Sequence, residues 1–391
     1  MRIVAIEDLH CDAGWRVWSF LKVVTDQGVV GWSEYNESYG SKGLTAVIRK
    51  LADPLIGLDP RPVERITAML YARTRQAPGG LIAQAIAAIE NALVDVKAKA
   101  LGISVAELLG GPVRERLRLY WSHCGSYRLN HAKVMGTAPL GSLADVKALG
   151  AEVREKGFGA LKTNIFMFDG DAPHMHQPGF TNGEGWPELN VDRRLLRIIS
   201  AELAAFRDGA GPDMDLLLDL NFNFKTEGYL EVARAAAPFG LMWLEIDSFD
   251  PAALATIRGR APMPIASCES LFGRRQFRPY LDRQSMDVAI VDVPWNGILE
   301  SMKIAAMAEA YEVNVAPHNF YGHLSTMMSA HFCAAIANFR IMEIDIDDVP
   351  WKDEVVTPAP TIERGHLILP DRPGWGVEVD EKAVKAHPPK L

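Results

Sequence analysis

Six side chains able to do acid–base or metal chemistry recur at an even spacing through the second half of the chain. Each closes a short apolar run, and neighbours in the series are 23 to 26 residues apart. The six are Asp219, Glu245, Glu269, Asp292, His318 and Glu343. A buried strand, its covering helix and two loops occupy about 25–30 residues, the size of one βα unit. The spacing therefore predicts six consecutive βα units, each with a reactive side chain where its strand ends.

The repeat indicates a barrel with one chemically active end. Parallel strands joined by covering helices have their carboxyl ends on the same side of the sheet. In a (β/α)8 barrel, active sites lie on that side. A carboxylate after an apolar run can instead cap the next helix, which would explain one member of the series but not the regular repeat. We therefore expect a TIM-like barrel of seven or eight βα units with the six side chains at its mouth.

The first three members of the series are carboxylates that favour a metal site. Asp219, Glu245 and Glu269 would repel one another in a low-dielectric mouth and raise one another's pKa. A divalent cation removes that repulsion, and oxygen donors without Cys or His suit Mg²⁺. Ion pairing with Lys or Arg is the alternative interpretation. We expect these three residues to hold Mg²⁺.

The next two members, Asp292 and His318, are typical of an acid–base pair. A carboxylate on the adjacent strand can hold one imidazole nitrogen and fix the tautomer, which leaves the other nitrogen free to act as a general base. A His near a strand end can also be purely structural. Beside the predicted metal site, we expect His318 to be catalytic and Asp292 to support it.

Other polar residues are expected to face the same mouth. Lys162 lies near the end of a further predicted strand, at 160–164, where an ammonium could bind a substrate carboxylate or act as a base. Glu343 could hydrogen-bond that carboxylate if protonated, or it could neutralise Lys162. Asn221 and Asn223 follow the first metal carboxylate on one face of the chain and could reach substrate hydroxyls.

The N-terminal part of the chain has a different pattern, in which strands come before helices. Alternating runs predict strands over 2–9, 16–25 and 29–35. Helical patterns follow at 44–56, 62–75, 81–101 and 104–109. Strands first and helices after are typical of a separate α+β domain, and Gly110-Gly111-Pro112 marks its end. We expect an α+β domain over 1–112, a barrel over 113–360 and a C-terminal segment, 361–391, that packs back on the first domain.

The segment 167–189 interrupts the barrel pattern. It is rich in Gly, Pro, Asp and His and shows no periodicity. It is too long for an ordinary βα loop and would lie at the mouth, so we interpret it as a lid or specificity loop. Its His174 and His176 could bind metal, supply a general acid or simply be solvated.

Composition excludes several classes of function. The net charge is −8 and no Lys/Arg run occurs, which argues against nucleic acid as a partner. No apolar run approaches the ~20 residues that span a membrane, and the N-terminal run does not match a signal peptide. The four cysteines are widely spaced, as is typical of reduced thiols. We expect a cytoplasmic enzyme.

These residues together resemble the mandelate racemase subgroup of the enolase superfamily, over nearly the whole chain. The likeness includes the helix at 87–102 and the motif at 108–112 that follows it. The three carboxylates look like the family's Mg²⁺ site, Asp292 and His318 like its Asp–His dyad, and Glu343 like its eighth-strand acid. The resemblance implies a homo-oligomer and an N-terminal domain that caps the barrel. It also implies that loops after Leu9 and near Tyr39 contribute to specificity.

The chain departs from the family at the second barrel strand. Many members have Lys-x-Lys there, whereas this chain has Lys162-Thr163-Asn164. The missing lysine is the base on one face of the substrate, so its absence argues against a two-base racemase. Lys-x-Asn is similar to the pattern of galactonate dehydratases, although those enzymes place a His where this chain has Asn221. The general acid is therefore not identified by the resemblance.

The resulting hypothesis is a Mg²⁺-dependent dehydratase acting on a small-molecule carboxylate, an aldonic or aldaric acid. His318 would take the α-proton, and loss of the 3-hydroxyl would yield a 2-keto-3-deoxy acid. The proton for the leaving hydroxyl would come from His318 or from a lid residue. We expect Asn164, Asn221, His123 and Tyr39 to contact the substrate. A racemase, epimerase or cycloisomerase acting on a carboxylate is the alternative.

Overall fold

In the computed structural model, which describes residues 1–170 and 172–390, the chain begins with a three-stranded antiparallel sheet. Its strands are β1 (Ile3–Asp12), β2 (Val17–Thr25) and β3 (Val30–Tyr35). The helices that follow are α1 (Leu44–Ala52), α2 (Val63–Arg73), α3 (Gly80–Leu101) and α4 (Val105–Leu108). The predicted first helix extended to 56, but α1 ends at Ala52 and continues as a 3-10 turn over Asp53–Leu55, because Pro54 cannot continue the α-helical bonding.

Helix α3 lies directly against this sheet. A Cβ built on Gly31 would lie 2.3 Å from the carbonyl oxygen of Ala92, so only glycine permits this approach of strand to helix. The buried carboxylate of Asp95 accepts hydrogen bonds from the backbone N–H groups of Trp32 (2.8 Å) and Trp375 (3.0 Å). This one side chain therefore joins the sheet, the helix and the C-terminal part of the chain.

Among the residues that the structure describes, eight strands form a barrel after the N-terminal part. They are β4 (Arg116–Ser122), β5 (Ala160–Thr163), β6 (Asp215–Asp219), β7 (Trp243–Glu245), β8 (Ile265–Ser267), β9 (Val288–Asp292), β10 (Asn314–His318) and β11 (Met342–Asp345). Neighbours from β4 to β10 pair in parallel, and β11 pairs in parallel with β4. Hydrogen bonds between Val315 of β10 and the residues Asn338 and Arg340, just before β11, close the ring.

In the described part of the chain, seven helices cover the barrel. They are α5 (Leu143–Glu155), α6 (Arg193–Ala210), α7 (Thr226–Ala236), α8 (Pro251–Arg258), α9 (Gly273–Asp282), α10 (Ile298–Glu309) and α11 (His323–Ala335). Inside the barrel, a separate apolar cluster that includes Tyr120, Leu217 and Trp243 forms a buried floor. The fold is therefore seven βα units and an eighth strand, with a filled interior below the mouth.

The C-terminal part of the chain contacts the N-terminal sheet. Helix α12 (Glu381–Ala386) lies against β1, and Glu381 pairs with Lys22 at 2.5 Å. The backbone carbonyl of His387 accepts from the N–H of Asp12 at 2.7 Å. Within the described ranges, no helix has both the length and the apolar character needed to cross a membrane.

The segment 167–189, apart from Asp171, which lies outside the described residues, has little regular structure. Phe166–Met167 pairs with His174–Met175 as a short antiparallel hairpin. Exposed aromatic side chains, Phe180 and Trp186, lie on the loop.

Candidate active site

The predicted metal carboxylates lie at neighbouring strand ends. Asp219 and Glu245 are the last residues of β6 and β7 and are buried, whereas Glu269 lies two residues beyond β8 with 14% of its side chain exposed. The Lys162 ammonium on β5 is 2.7 Å from Glu245 Oε1 and 3.3 Å from Asp219 Oδ2. Lysine and carboxylates therefore share one buried cluster.

Glu343 is the third carboxylate around this ammonium, 3.0 Å from Lys162 Nζ. It also accepts from Ser122 Oγ (2.5 Å) and from the N–H of Asn319 (2.6 Å). Burial opposes its ionisation, but the charge of Lys162, followed by His318, His123 and the hydrogen bond from Ser122, lowers the pKa of Glu343 to about 2. Of the two predicted roles of Glu343, the geometry therefore matches neutralisation of Lys162. Glu343 is the second residue of β11 and not the strand end that the sequence suggested, because its register pairs it with Tyr120 of β4.

The remaining carboxylates carry more negative charge than one lysine can offset. Burial raises the pKa of Glu245 to about 8 despite Lys162, with Asp219 adding repulsion. Burial likewise raises the pKa of Glu269, opposed by His318. Such a set is one that a cation would stabilise.

The two residues of the predicted acid–base pair are within hydrogen-bonding distance of one another. His318 Nδ1 is 2.6 Å from Asp292 Oδ2, which also accepts from Tyr321 Oη at 2.5 Å. The two residues are paired in the parallel ladder of β9 and β10. The other ring nitrogen, Nε2, is 3.7 Å from Glu269 Oε2 and faces the carboxylate cluster. Burial opposes protonation of the ring, but Glu269 and Asp292 raise the pKa of His318 to about 10.

Two of the predicted substrate-binding amides lie beside the metal carboxylates. Asn164 is buried, accepts from Ser126 Oγ at 2.7 Å and lies 3.4 Å from Asn221 Oδ1. Asn221 has a positive φ of 45° and donates its N–H to Asp219 Oδ1 at 3.0 Å. Both amides therefore border the carboxylate cluster, and Asn221 also helps to orient one of its members.

Asn223 was predicted to reach substrate hydroxyls, but its amide is bonded to the loop at 167–189, the segment interpreted above as a lid. Its Oδ1 accepts from the N–H of Gly179 (3.0 Å) and its Nδ2 donates to the carbonyl of His176 (3.2 Å). The His176 ring is buried and stacks on Phe224, whereas His174 is exposed. The two histidines of the lid therefore lie in different environments and do not form a joint metal site.

His123 and Tyr39 lie near one another across a shared aromatic side chain. The His123 ring is 6.0 Å from the Phe320 ring and the Tyr39 ring is 5.9 Å from it. The His318 ring is 5.0 Å from Phe320 on the barrel side. Tyr39, from the N-terminal part, is half exposed and donates to the carbonyl of Trp15 at 3.4 Å. The structure thus brings both residues to the rim of the mouth.

Comparison with known families decides what kind of protein has this site. Residues 15–110 match the mandelate racemase / muconate lactonizing enzyme N-terminal domain, and residues 145–383 match the enolase C-terminal domain-like family. The chain belongs to the mandelate racemase subgroup of the enolase superfamily. It is therefore an enzyme, as its sequence predicted.

Several relatives of this superfamily member are similar along most of their length. D-xylonate dehydratase of Haloferax volcanii is 30% identical, over 95% of this chain and 85% of that protein. D-galactonate dehydratase of Ralstonia nicotianae is 30% identical, over 94% of this chain and 90% of that protein. A solved structure from Burkholderia xenovorans strain LB400, named as a putative L-alanine-DL-glutamate epimerase bound to magnesium and fumarate, is 53% identical. It covers 100% of this chain and 97% of that chain, with a TM-score of 0.97.

Enolase superfamily members use Mg²⁺, and the donors present here fit that ion. Three carboxylates from adjacent strands form an all-oxygen set, which Mg²⁺ prefers. Among residues 1–170 and 172–390, no three Asp, Glu, His or Cys side chains already form a cation cage. Instead, the Lys162 ammonium contacts two of the three carboxylates.

Three charged residues at this site were not predicted from the sequence. Asp247 is buried beside the metal carboxylates, and burial together with repulsion from Glu269 raises its pKa well above the usual range. Asp345 is buried and pairs with Arg16, which reaches it from the β1–β2 loop at 3.0 Å. Asp247 and Asp345 each lie two residues after a predicted site glutamate, and residues two apart in a strand share a face. The two-residue spacing could therefore have identified both aspartates, whereas no pattern in the neighbouring sequence identifies Arg16.

Proposed function

We propose that this enzyme is a Mg²⁺-dependent dehydratase of an aldonic or aldaric sugar acid. The proposal rests on the observation that a strong base faces the candidate site from one side and an amide takes the place of a second lysine on the other. His318 presents Nε2 toward the carboxylate cluster, while the strand carrying Lys162 has the amide of Asn164 two residues on. A single strong base is enough for proton abstraction followed by elimination, whereas inversion of a carbon centre requires one on each face.

The relatives support a carboxylate substrate of this class. Two of them are named for D-xylonate and D-galactonate, which are sugar acids. The solved relative is bound to fumarate, a dicarboxylate. A small-molecule carboxylate is therefore the substrate class we propose for this chain.

The first step is removal of a weakly acidic proton. Loss of the α-proton puts a second negative charge on the carboxylate group, and Mg²⁺ held by Asp219, Glu245 and Glu269 would supply positive charge for it. Glu269 is the main cause of the raised pKa of His318, and a cation held by this carboxylate would offset that effect and leave the ring neutral. Neutral His318 Nε2 then accepts the proton, and Asp292 on Nδ1 stabilises the imidazolium that results. Preorganised positive charge at the developing oxyanion contributes most where water is excluded.

Lys162 supplies such a charge from the protein. Its ammonium is buried and held by Glu343 and Glu245, so it is positioned before the substrate enters. In the second step the electron pair left at C2 forms the C2–C3 double bond, the C3–O bond breaks and water is lost. The enol then becomes a 2-keto-3-deoxy acid.

An epimerase or cycloisomerase is the second candidate, and one observation favours it. The relative that is 53% identical is named as a putative L-alanine-DL-glutamate epimerase. In that reaction Lys162 would act on the opposite face from His318. Proton return to C2, in place of loss of the 3-hydroxyl, distinguishes this reaction from dehydration.

The test is a screen of the purified enzyme with Mg²⁺ against aldonic and aldaric acids, starting with D-xylonate and D-galactonate. Semicarbazide detects the 2-keto product, and parallel incubations in D₂O report exchange of the α-proton. We expect keto acid from at least one substrate, none from His318→Asn, and normal rates from His366→Asn, which lies on a short strand beside β4. Exchange or isomerisation without keto acid would favour the second candidate, and full activity of His318→Asn would exclude the assigned base.

A further inference from the structure

A second carboxylate–imidazole pair lies at the same mouth as Asp292 and His318. His123 directly follows β4, and its Nδ1 is 3.0 Å from Oδ1 of Asp345, the last residue of β11. Strands β4 and β11 are paired in parallel, so the pair is built across neighbouring strands as the first one is. The proposed mechanism of dehydration leaves this second imidazole without a role.

The carboxylate of this pair is held in its charged form. Asp345 is buried, and its Oδ2 accepts from Tyr127 Oη (3.0 Å) and from Arg16 Nη1 (3.0 Å). Burial opposes ionisation, but His123 and Arg16 keep the pKa of Asp345 well below its usual range. A carboxylate on Nδ1 fixes the orientation of the ring.

The ring is clamped so that one edge remains open. It stacks on Tyr127 with centroids 4.9 Å apart and meets the edge of Phe320 at 6.0 Å. Among the described residues Nε2 has no hydrogen-bond partner, and 20% of the side chain is exposed. The ring therefore presents Nε2 to solvent or to a bound molecule.

His123 borders the space in which the substrate would lie. Phe320 also lies 5.0 Å from the His318 ring, so the two imidazoles flank one aromatic side chain. Ser122, the neighbour of His123, donates to Glu343, which in turn holds Lys162. The second pair is thus continuous with the residues assigned to proton abstraction.

We propose that His123, positioned by Asp345, is the general acid that protonates the departing 3-hydroxyl; this inference rests on the proposed dehydratase function. The C3–O bond breaks, its electrons remain with oxygen, and Nε2 of the imidazolium transfers its proton to that oxygen to form water. The electron pair from the former C2–H bond becomes the C2–C3 double bond. His123 then regains a proton from solvent, His318 releases the proton taken from C2, and the enol exchanges its hydroxyl proton for one at C3.

The lid histidines are less suited to this step. The His176 ring is buried, stacked on Phe224 and close to Gly185 of the lid itself. His174 is exposed, with Nδ1 3.1 Å from the carbonyl of Ala172. Among residues 1–170 and 172–390, no carboxylate is hydrogen-bonded to either ring, whereas His123 is held by Asp345.

The test compares His123→Asn with wild type on the aldonic and aldaric acids, starting with D-xylonate and D-galactonate, with Mg²⁺ in D₂O. Asn suits this position because the backbone φ of His123 is +44°. His131→Asn is the matched control, since His131 stacks on Trp15 nearby but does not contact Asp345. We expect keto acid formation by His123→Asn to fall about 100-fold or more, while proton NMR still shows exchange at C2.

A substrate whose leaving group needs no proton sharpens the test. The 3-chloro-3-deoxy analogue of the acid that wild type dehydrates should lose chloride at a similar rate with wild type and His123→Asn. Unchanged keto acid formation by His123→Asn would overturn the role of His123 and leave the dehydratase standing. Loss of C2 exchange and chloride elimination along with dehydration would also overturn it, because proton abstraction would then have failed. No keto acid from wild type on any of the acids would overturn the proposed function, and the inference with it.

Discussion

Asp292 performs two tasks with its two carboxylate oxygens. Oδ1 accepts from the N–H of Trp295 at 2.7 Å and caps the short helix Val293–Asn296. Oδ2 holds His318 and Tyr321. A carboxylate after an apolar strand can be a helix cap or a catalytic residue, and each of its oxygens has lone pairs of its own. Here one residue has the geometry of both, so the capping interpretation does not argue against the chemical one.

Replacing Lys162 distinguishes the stabilising effect of its charge from the stabilising effect of a bound metal ion. In Lys162→Met the buried Glu245, Glu343 and Asp219 lose their shared cation, and breaking such a buried pair costs about 3–5 kcal/mol of unfolding free energy. We expect that loss in EDTA and a partial recovery in Mg²⁺, measured by urea unfolding. The control is Lys156→Met, an exposed pair with Glu152, worth at most about 1 kcal/mol. Equal losses for both variants, or no effect of Mg²⁺ on Lys162→Met, would contradict the prediction.

The candidate site could be predicted where its residues close strands of the barrel. Asp219, Asp292 and His318 are the last residues of β6, β9 and β10, because buried parallel strands appear in sequence as apolar runs that end at the mouth. Arg16 could not be predicted in this way. Its partner Asp345 is more than 300 residues distant, and only the folded chain brings the β1–β2 loop to the barrel.

At the level of elements, strand pairing decides the boundaries that sequence leaves open. The apolar run at 339–342 suggested a strand that ends before Glu343, but β11 covers Met342–Asp345. Its residues pair one by one with β4, from Met342 opposite Leu119 to Asp345 opposite Ser122. The strand therefore extends as far as its neighbour provides hydrogen bonds, and it places Asp345 as well as Glu343 at the mouth.

The amide of Asn223 is one of the contacts that hold the 167–189 loop on the barrel, which gives an element-level prediction. Asn223→Ala removes the bonds to Gly179 and His176, worth about 1 kcal/mol each. We expect cleavage by chymotrypsin at the exposed Phe180 and Trp186 to become about tenfold faster, as followed by mass spectrometry.

Asn338→Ala is the control for the lid experiment. Its amide bonds the carbonyls of Ala305 and Val313, on the other side of the barrel. Its loss should not accelerate cleavage at the two lid aromatics. If Asn223→Ala and Asn338→Ala were cleaved at the same lid positions with equal rates, the anchoring role of Asn223 would be wrong.

In the whole molecule, side chains of the N-terminal part complete helices of the barrel. Helices α10 and α11 have glycine at their N-caps, and those caps supply no side-chain hydrogen bond. Glu90 accepts from the N–H of Leu299 at 2.9 Å, and Glu34 accepts from the N–H groups of Gly322 (2.6 Å) and Ser325 (2.9 Å). Carboxylates at helix N-termini are favourable. These contacts span more than 200 residues, which is why local sequence does not reveal them.

A buried histidine at the same junction makes the stability of the whole molecule depend on pH. His331 of α11 is fully buried, and its Nδ1 accepts from the N–H of Ala106 in α4 at 3.1 Å. Burial lowers the pKa of His331 to about 4, whereas an unfolded chain binds that proton near pH 6.5. The unfolded state therefore takes up the proton first as pH falls. The neutral ring therefore contributes fully to the free energy of unfolding above pH 6.5. This contribution is lost as the pH falls from 6.5 to 4, and the loss is at most about 3 kcal/mol.

His331→Gln keeps an acceptor for Ala106 but cannot titrate. We expect its unfolding free energy in urea to fall less than that of wild type between pH 7 and pH 4.5, and the two curves to converge as the pH is lowered. Parallel curves over that range would mean that His331 does not set the acid sensitivity of the junction. Convergence of the two curves would show that the contact between α4 and α11 depends on a neutral imidazole. The packing of the N-terminal part on the barrel would then depend on it too.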